Sequence, residues 1–94
     1  MRPINARVSL SPTDAGGRSS SINLQRGYRP HLRVGTGEML GVEFTSDSER
    51  WLSPGETAEV ELKLLYEIDY SSLAPGTSFT ILEGLNAVGT GSVV

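Results

Sequence analysis

The stretch that decides the fold is Pro75-Gly-Thr-Ser-Phe-Thr-Ile-Leu-Glu-Gly-Leu-Asn-Ala-Val-Gly-Thr-Gly-Ser-Val-Val94. Its opening Pro-Gly pair predicts a turn, because proline presets φ and glycine accepts a positive φ. Phe79 and Ile81 are two residues apart and therefore share one face of a strand. The segment 83–86, Glu-Gly-Leu-Asn, predicts a hairpin connection, since glycine and asparagine tolerate the left-handed conformation. Residues 87–94 then form the return strand, whose two glycines suit the close backbone approach of a small barrel.

Apolar residues at every second position predict further strands upstream. The pattern covers residues 4–10 and 40–44 and begins again at Leu32 and Val34, and 57–66 is its longest example. In 57–66 the apolar face runs from Ala58 to Tyr66. Helix-favouring residues occur there too, but the strict period of two favours a strand.

The intervening segments predict loops and turns. Residues 11–21 contain Pro, two Gly and three consecutive Ser, and such a long loop is expected to be functional or mobile. Residues 22–26 predict a short extended piece, and Gly27-Tyr28-Arg29-Pro30 predicts a corner. Residues 45–54 predict a polar connection that holds the only tryptophan, Trp51. We expect Arg29 at the corner to pair with a carboxylate or with backbone carbonyls on a neighbouring strand; an exposed recognition arginine is the alternative.

Six strands at short spacing, with no helical segment, predict an all-β antiparallel barrel or sandwich. Closing the sheet would also remove the exposed edges that invite aggregation. The length of 94 residues corresponds to one domain over 1–94.

Composition limits the classes of partner. The chain carries 8 basic and 11 acidic residues, a net charge of −3, which provides no overall field to attract nucleic acid or an anionic membrane. It contains no cysteine, so disulfides and thiolate chemistry are excluded. No signal peptide or membrane span is apparent, and we expect a cytoplasmic protein.

No catalytic pattern is visible, and the sequence predicts neither an enzyme nor a cofactor or metal site. His31 is the only histidine, so a histidine metal cluster is excluded, and a surface position at a strand edge is the expected one. Glu59 and Glu61 share a strand face beside Lys63, where a solvated surface explains them better than a catalytic pair. Trp51 is expected to pack over a barrel end, with a ligand-stacking platform as the alternative.

Four segments in order carry a family resemblance. Gly16-Gly17-Arg18, the corner 27–30, the Pro54-Gly55 turn with its following strand, and the closing hairpin 76–93 resemble the third domain of elongation factor Tu. The resemblance covers roughly residues 6–94. It implies a six-stranded antiparallel Greek-key barrel of the translation-factor third-domain type.

The resemblance also implies a binding role. In the family this domain contacts the T stem of aminoacyl-tRNA, the GTPase domain and the nucleotide-exchange factor. The GTPase domain and second barrel have no counterpart here, so no GTP binding is implied.

The candidate partner-binding residues come from this resemblance, position by position. They are Arg18, His31, Leu40, Leu82, Glu83 and Leu85. Arg18 and Glu83 match residues at the family's RNA site, and Leu40 is nearest to a threonine that contacts the RNA. Leu82 and Asn86 occupy positions where the family has arginines. Leu82 is out of phase with the inward residues of its strand, so we expect it to be exposed on the outer face together with Leu85.

Loss of two arginines removes phosphate contacts, which are the main source of RNA affinity. The sequence therefore predicts a non-enzymatic module that binds an unidentified protein. A translation accessory that binds tRNA or a translation factor is the alternative.

Overall fold

The computed structural model describes residues 4–94; the first three residues of the predicted domain lie outside the described part. The described chain is all-β, and its one helical segment is a short 3-10 turn at Thr13–Ala15. Its eight strands are β1 (Ile4–Leu10), β2 (Ile22–Asn23), β3 (His31–Arg33), β4 (Leu40–Thr45), β5 (Trp51–Leu52), β6 (Thr57–Leu64), β7 (Ser78–Glu83) and β8 (Asn86–Val93).

Six of these strands close into an antiparallel barrel, as the sequence predicted. The order around the barrel is β1-β6-β4-β3-β7-β8, and β8 pairs with β1 to close it. The longest ladders join β6 to β1, with Ala6 opposite Val60, and β7 to β8, with Phe79 opposite Gly91. Closure leaves no free edge among these six strands.

The two remaining strands form a small separate sheet. Ile22 pairs with Leu52, and Asn23 pairs with Trp51. The predicted extended piece at 22–26 is thus only two residues long, and the predicted connection 45–54 contains a strand. Two-residue strands are too short to show alternation, so periodicity does not detect them.

One apolar core fills the barrel. Val60, Leu62, Phe79 and Ile81 are buried in it, which confirms the predicted inward face. Leu64, at the end of β6, is partly buried against the same core. The core is extended by Leu24, Leu52 and Leu73 from the loops and the small sheet.

Strand β6 ends earlier than the alternation predicted. It stops at Leu64, and Tyr66 is exposed in the following connection instead of lying on the buried face. The last pair between β6 and β4 is Leu64 with Val42. The apolar residues at every second position continue to Tyr70 in the sequence, so alternation alone does not mark the end of the strand.

The closing hairpin turns on two residues, Gly84 and Leu85, between the paired residues Glu83 and Asn86. Gly84 has a φ of 60°, which fits the glycine at the first central position of a type II′ hairpin turn. Asn86 does not share this conformation, since no described residue except glycine has a positive φ. The register shifts between Ile81 and Leu82, as a β-bulge would produce.

Residues 4–94 contain no helix that is long and apolar enough to cross a bilayer.

Candidate partner-binding site

Two of the predicted site residues, Arg18 and Glu83, are brought together by the fold. The Arg18 guanidinium donates through Nη1 to Glu83 Oε2, across 65 positions of sequence. The Tyr28 hydroxyl donates to the same carboxylate oxygen, so Glu83 accepts two hydrogen bonds at the end of β7. We call Arg18, Tyr28 and Glu83 the clamp.

The clamp also fixes the loop that contains Arg18. Arg18 Nε donates to the Ser20 carbonyl at 3.1 Å, and the Thr13 hydroxyl donates to the Arg18 carbonyl at 2.7 Å. The Arg18 guanidinium carbon lies 5.5 Å from the centre of the Tyr28 ring, within range of a cation–π contact. The segment around Arg18 is therefore docked, which does not fit the mobile alternative for residues 11–21.

Burial and charge both act on the Tyr28 hydroxyl. Desolvation by burial raises its pKa well above the usual value of a tyrosine, and the hydrogen bond to Glu83 and its negative charge raise that pKa further. The Arg18 charge opposes this shift only in part. Tyr28 therefore remains a neutral donor at any physiological pH.

The corner 27–30 behaves as predicted. Arg29 Nε donates to Glu43 Oε1 at 3.0 Å, joining the corner to β4. The Tyr28 ring packs edge-on against Phe44 in the core, with centroids 5.3 Å apart and planes at 70°. Both side chains hold the corner on the barrel, and Arg29 has the expected carboxylate partner, although its side chain remains 64% exposed.

His31 and Leu40 are not displayed as a binding surface would require. Leu40 pairs with Leu32 and lies in the core at 3% exposure, so its candidacy as a contact residue is wrong. It alternates with Val42 and Phe44, which also point inward. His31 is half-buried between β4 and β7, opposite Gly41 and Leu82, and not at a sheet edge, because the closed barrel gives β3 a neighbour on both sides.

The two hairpin leucines have opposite environments. Leu82 is 3% exposed, so the predicted exposure is wrong, although it lies outside the main core cluster. It sits between His31 on β3 and Ala87 on β8. Strand alternation gives the side of the sheet that a residue faces, but it does not show whether that side is covered. Leu85, at the turn, is 95% exposed, as predicted.

Besides Leu85, four large apolar side chains are exposed: Trp51, Tyr66, Ile68 and, at the last position, Val94. Trp51 on β5 is 59% exposed, so it does not pack over a barrel end as expected. Tyr66 and Ile68, in the connection after β6, are 57% and 43% exposed. Glu67 and Asp69 alternate with them as Glu59 and Glu61 do with the buried residues of β6, so the local pattern carries no signal that Tyr66 and Ile68 are exposed.

An open polar groove lies beside the exposed face of β6. Glu59 and Glu61 line it together with Asp47 and Arg50 from the connection after β4. Nothing in the local pattern indicated a cleft or other charged groups beside these two glutamates, because the 45–50 segment reaches them only through tertiary folding. Within residues 4–94 no three His, Asp or Glu side chains are grouped as a metal site would need.

The geometry thus separates the six predicted residues into an internally satisfied pair, two buried leucines, a half-buried histidine and one freely exposed leucine. No family model matches the sequence.

Proposed function

We propose that this protein is a non-enzymatic binding module that engages a protein partner through the hairpin end of its barrel. The observation that carries the proposal is Leu85, a leucine 95% exposed at the tip of a two-residue turn. A scattered exposed leucine is common on protein surfaces. Its position on a fixed tip is what favours a contact role.

The tip is held in place from below. Glu83 and Asn86 pair across the turn, and Glu83 is fixed by the clamp. A side chain presented on a rigid element loses little conformational entropy when it enters a partner's pocket. Leu85 therefore fits the role of an apolar anchor in a protein interface.

Charge argues against nucleic acid at this end of the molecule. From Leu64 to Val94 the sequence contains Glu67, Asp69 and Glu83 and no lysine or arginine. The guanidinium of Arg18 forms an ion pair with Glu83, so a phosphate would have to displace this carboxylate to bind it. RNA affinity depends mainly on such free cations.

We also propose that the chain is related to the Greek-key third domain of elongation factor Tu, on the basis of its sequence motifs and of a six-stranded barrel. The proposed binding uses neither GTP nor another cofactor. The proposed location is the cytoplasm, where a chain without cysteine needs no disulfide.

One observation favours the alternative, a translation accessory that binds tRNA or a translation factor. Arg18 and Glu83, which match residues at the family's RNA site, lie in direct contact. A competing phosphate could draw Arg18 away from Glu83.

The test immobilises the full chain, recovers bound material from cell extract and scores both protein and RNA. We expect a protein that is retained by the wild type and by Trp51→Ser, a change at another large exposed side chain, but lost with Leu85→Ser. Labelled tRNA is titrated in parallel at low and moderate salt, where we expect no appreciable binding. Micromolar tRNA binding that weakens steeply with salt and disappears with Arg18→Ala would replace this proposal with the alternative.

A further inference from the structure

The connection between β6 and β7, residues 65–77, is anchored to the outside of the barrel at Gly41. The Leu65 backbone N–H donates to the Gly41 carbonyl at 3.3 Å, and the Tyr70 hydroxyl donates to the same oxygen at 2.7 Å. The Tyr66 backbone N–H donates in turn to the Tyr70 hydroxyl at 3.2 Å. The Tyr66 ring also lies directly over the Gly41 α-carbon, in the space a β-carbon would need.

These anchors hold two large apolar side chains partly in solvent. Tyr66 is 57% exposed and Ile68 is 43% exposed, while Leu73 further along is buried in the core. The segment is therefore fixed at both ends, and its apolar side chains face water between the fixed points. An exposed apolar group on a fixed backbone is a feature of contact surfaces.

The same segment carries uncompensated negative charge. Glu67 and Asp69 alternate with Tyr66 and Ile68 and are exposed, and neither forms an ion pair within the described residues. The Ser71 backbone N–H donates to Asp69 Oδ1 at 2.8 Å. Hydrogen bonding from the Ser71 side chain and backbone lowers the pKa of this carboxyl. No lysine or arginine occurs in sequence from Leu64 onward.

We infer that the segment Tyr66-Glu67-Ile68-Asp69, the aromatic–acidic patch, docks a partner segment in which lysine or arginine alternates with apolar residues. The carboxylates attract the cations, and Tyr66 and Ile68 supply apolar contact, so each component of the patch has a matching component in the partner. Nucleic acid carries the wrong sign of charge for this surface. The inference rests on the proposed function, that the chain binds a protein, but it assigns a surface other than Leu85 and specifies the chemistry of the partner.

The experiment measures fluorescence anisotropy of short labelled peptides with the full chain. Three probes of equal length are used, alternating Lys and Leu, Glu and Leu, or Lys and Ser. We expect the Lys–Leu peptide to bind more tightly than the other two, with affinity falling as salt is raised. Glu67→Lys should weaken it roughly fivefold, since one exposed charge contact is lost and a repulsion is added. Ile68→Ser should weaken it as well.

The matched control is Glu38→Lys, which makes the same charge change at another exposed, unpaired glutamate. It should retain wild-type affinity, and all three substitutions are at exposed positions, so an unchanged unfolding midpoint confirms that the fold is intact.

The inference is overturned if the Lys–Leu peptide does not bind, or if Glu38→Lys weakens peptide binding as much as Glu67→Lys does. It is also overturned if labelled tRNA binds and this binding is lost with the patch variants. Loss of Lys–Leu peptide binding with Leu85→Ser, but not with Glu67→Lys or Ile68→Ser, would also overturn it. That result would leave the proposed function standing, with the partner placed at the hairpin. Conversely, if Leu85→Ser does not reduce capture of a protein from extract while the Lys–Leu peptide still binds at the patch, the role of Leu85 fails and the inference about the patch stands.

Discussion

Arg18 and Glu83 form an ion pair that ties the loop after β1 to the last residue of β7. Glu83 Oε2 accepts from both the Arg18 guanidinium and the Tyr28 hydroxyl. Charge-assisted hydrogen bonds of this kind are stronger than neutral ones. Together with Tyr28, the pair joins the loop after β1 and the corner 27–30 to the distant end of β7.

Loss of the clamp should expose the Arg18 loop to protease. In the wild type we expect trypsin to cut slowly after Arg18, because the segment around it is docked and not mobile. Glu83→Gln removes the charge that holds Arg18 and should accelerate that cut selectively. Mass spectrometry of fragments over time measures this, with Glu59→Gln, at the exposed Arg7–Glu59 pair, as the control. Rapid wild-type cleavage after Arg18 would mean that the loop is not docked in solution.

The energy of the clamp should be measurable by a double-mutant cycle. We expect a coupling of about 1–2 kcal/mol between Arg18→Ala and Glu83→Ala, since both side chains are mostly buried and hydrogen-bonded. The exposed pair Arg7–Glu59, 3.8 Å apart, should couple by under about 0.5 kcal/mol. Equal couplings for the two pairs would contradict the prediction. Urea unfolding provides the measurement.

Tyr28 should make the fold sensitive to alkali. Its pKa is raised in the folded state by burial and by Glu83, so the unfolded chain loses this proton first as pH rises. The stabilisation is therefore complete below the unfolded pKa of about 10 and declines as pH rises above it. Tyr28→Phe should be less stable than the wild type near neutral pH, and the difference should shrink above pH ~10. Parallel stability curves across this range would refute the linkage.

The barrel core should respond strongly to truncation of Leu62. Leu62 is buried opposite Phe44 and Ile4, and Leu62→Ala should cost about 2–5 kcal/mol through lost transfer energy and a cavity. Its exposed neighbour provides the control, since Lys63→Ala should change stability by under about 0.5 kcal/mol. A similar small effect at Leu62 would mean that the inward face is assigned wrongly.

Leu82 and Leu85 should differ sharply in stability effect despite their proximity in sequence. Leu82→Ala removes a side chain that is 3% exposed and should cost about 2 kcal/mol or more. Leu85→Ala alters a side chain that is 95% exposed and should cost less than about 0.5 kcal/mol. Thermal or urea unfolding of both variants checks this. A negligible effect of Leu82→Ala would restore its assignment as an exposed contact residue.

Gly91 should not tolerate a side chain. A β-carbon there would lie 2.6 Å from the Arg7 carbonyl oxygen and 2.7 Å from the Phe79 ring. Gly91→Ala should therefore cost about 1–3 kcal/mol by overpacking, although alanine usually stabilises a strand relative to glycine. Thr90→Ala, at the exposed neighbour, is the control, and a stabilised Gly91→Ala variant would show that the strands separate easily.

The sequence alone determined the barrel strands and most of the inward face. Alternation in 4–10, 40–44 and 57–64 is a local property, because successive side chains of a strand point to opposite sides whatever lies around them. Turn chemistry at residues 83–86 is local in the same way, and it placed Leu85 correctly at an exposed tip.

The tertiary structure alone decided which outward residues are covered and which polar groups meet. Burial of Leu82 depends on the strands beside it, and the pairing of Arg18 with Glu83 depends on closure of the chain over 65 positions. The two-residue strand at Trp51 and the end of β6 at Leu64 likewise depend on which partner strand is present. Such contacts depend on how distant segments of the chain pack together, and a local sequence pattern therefore does not predict them.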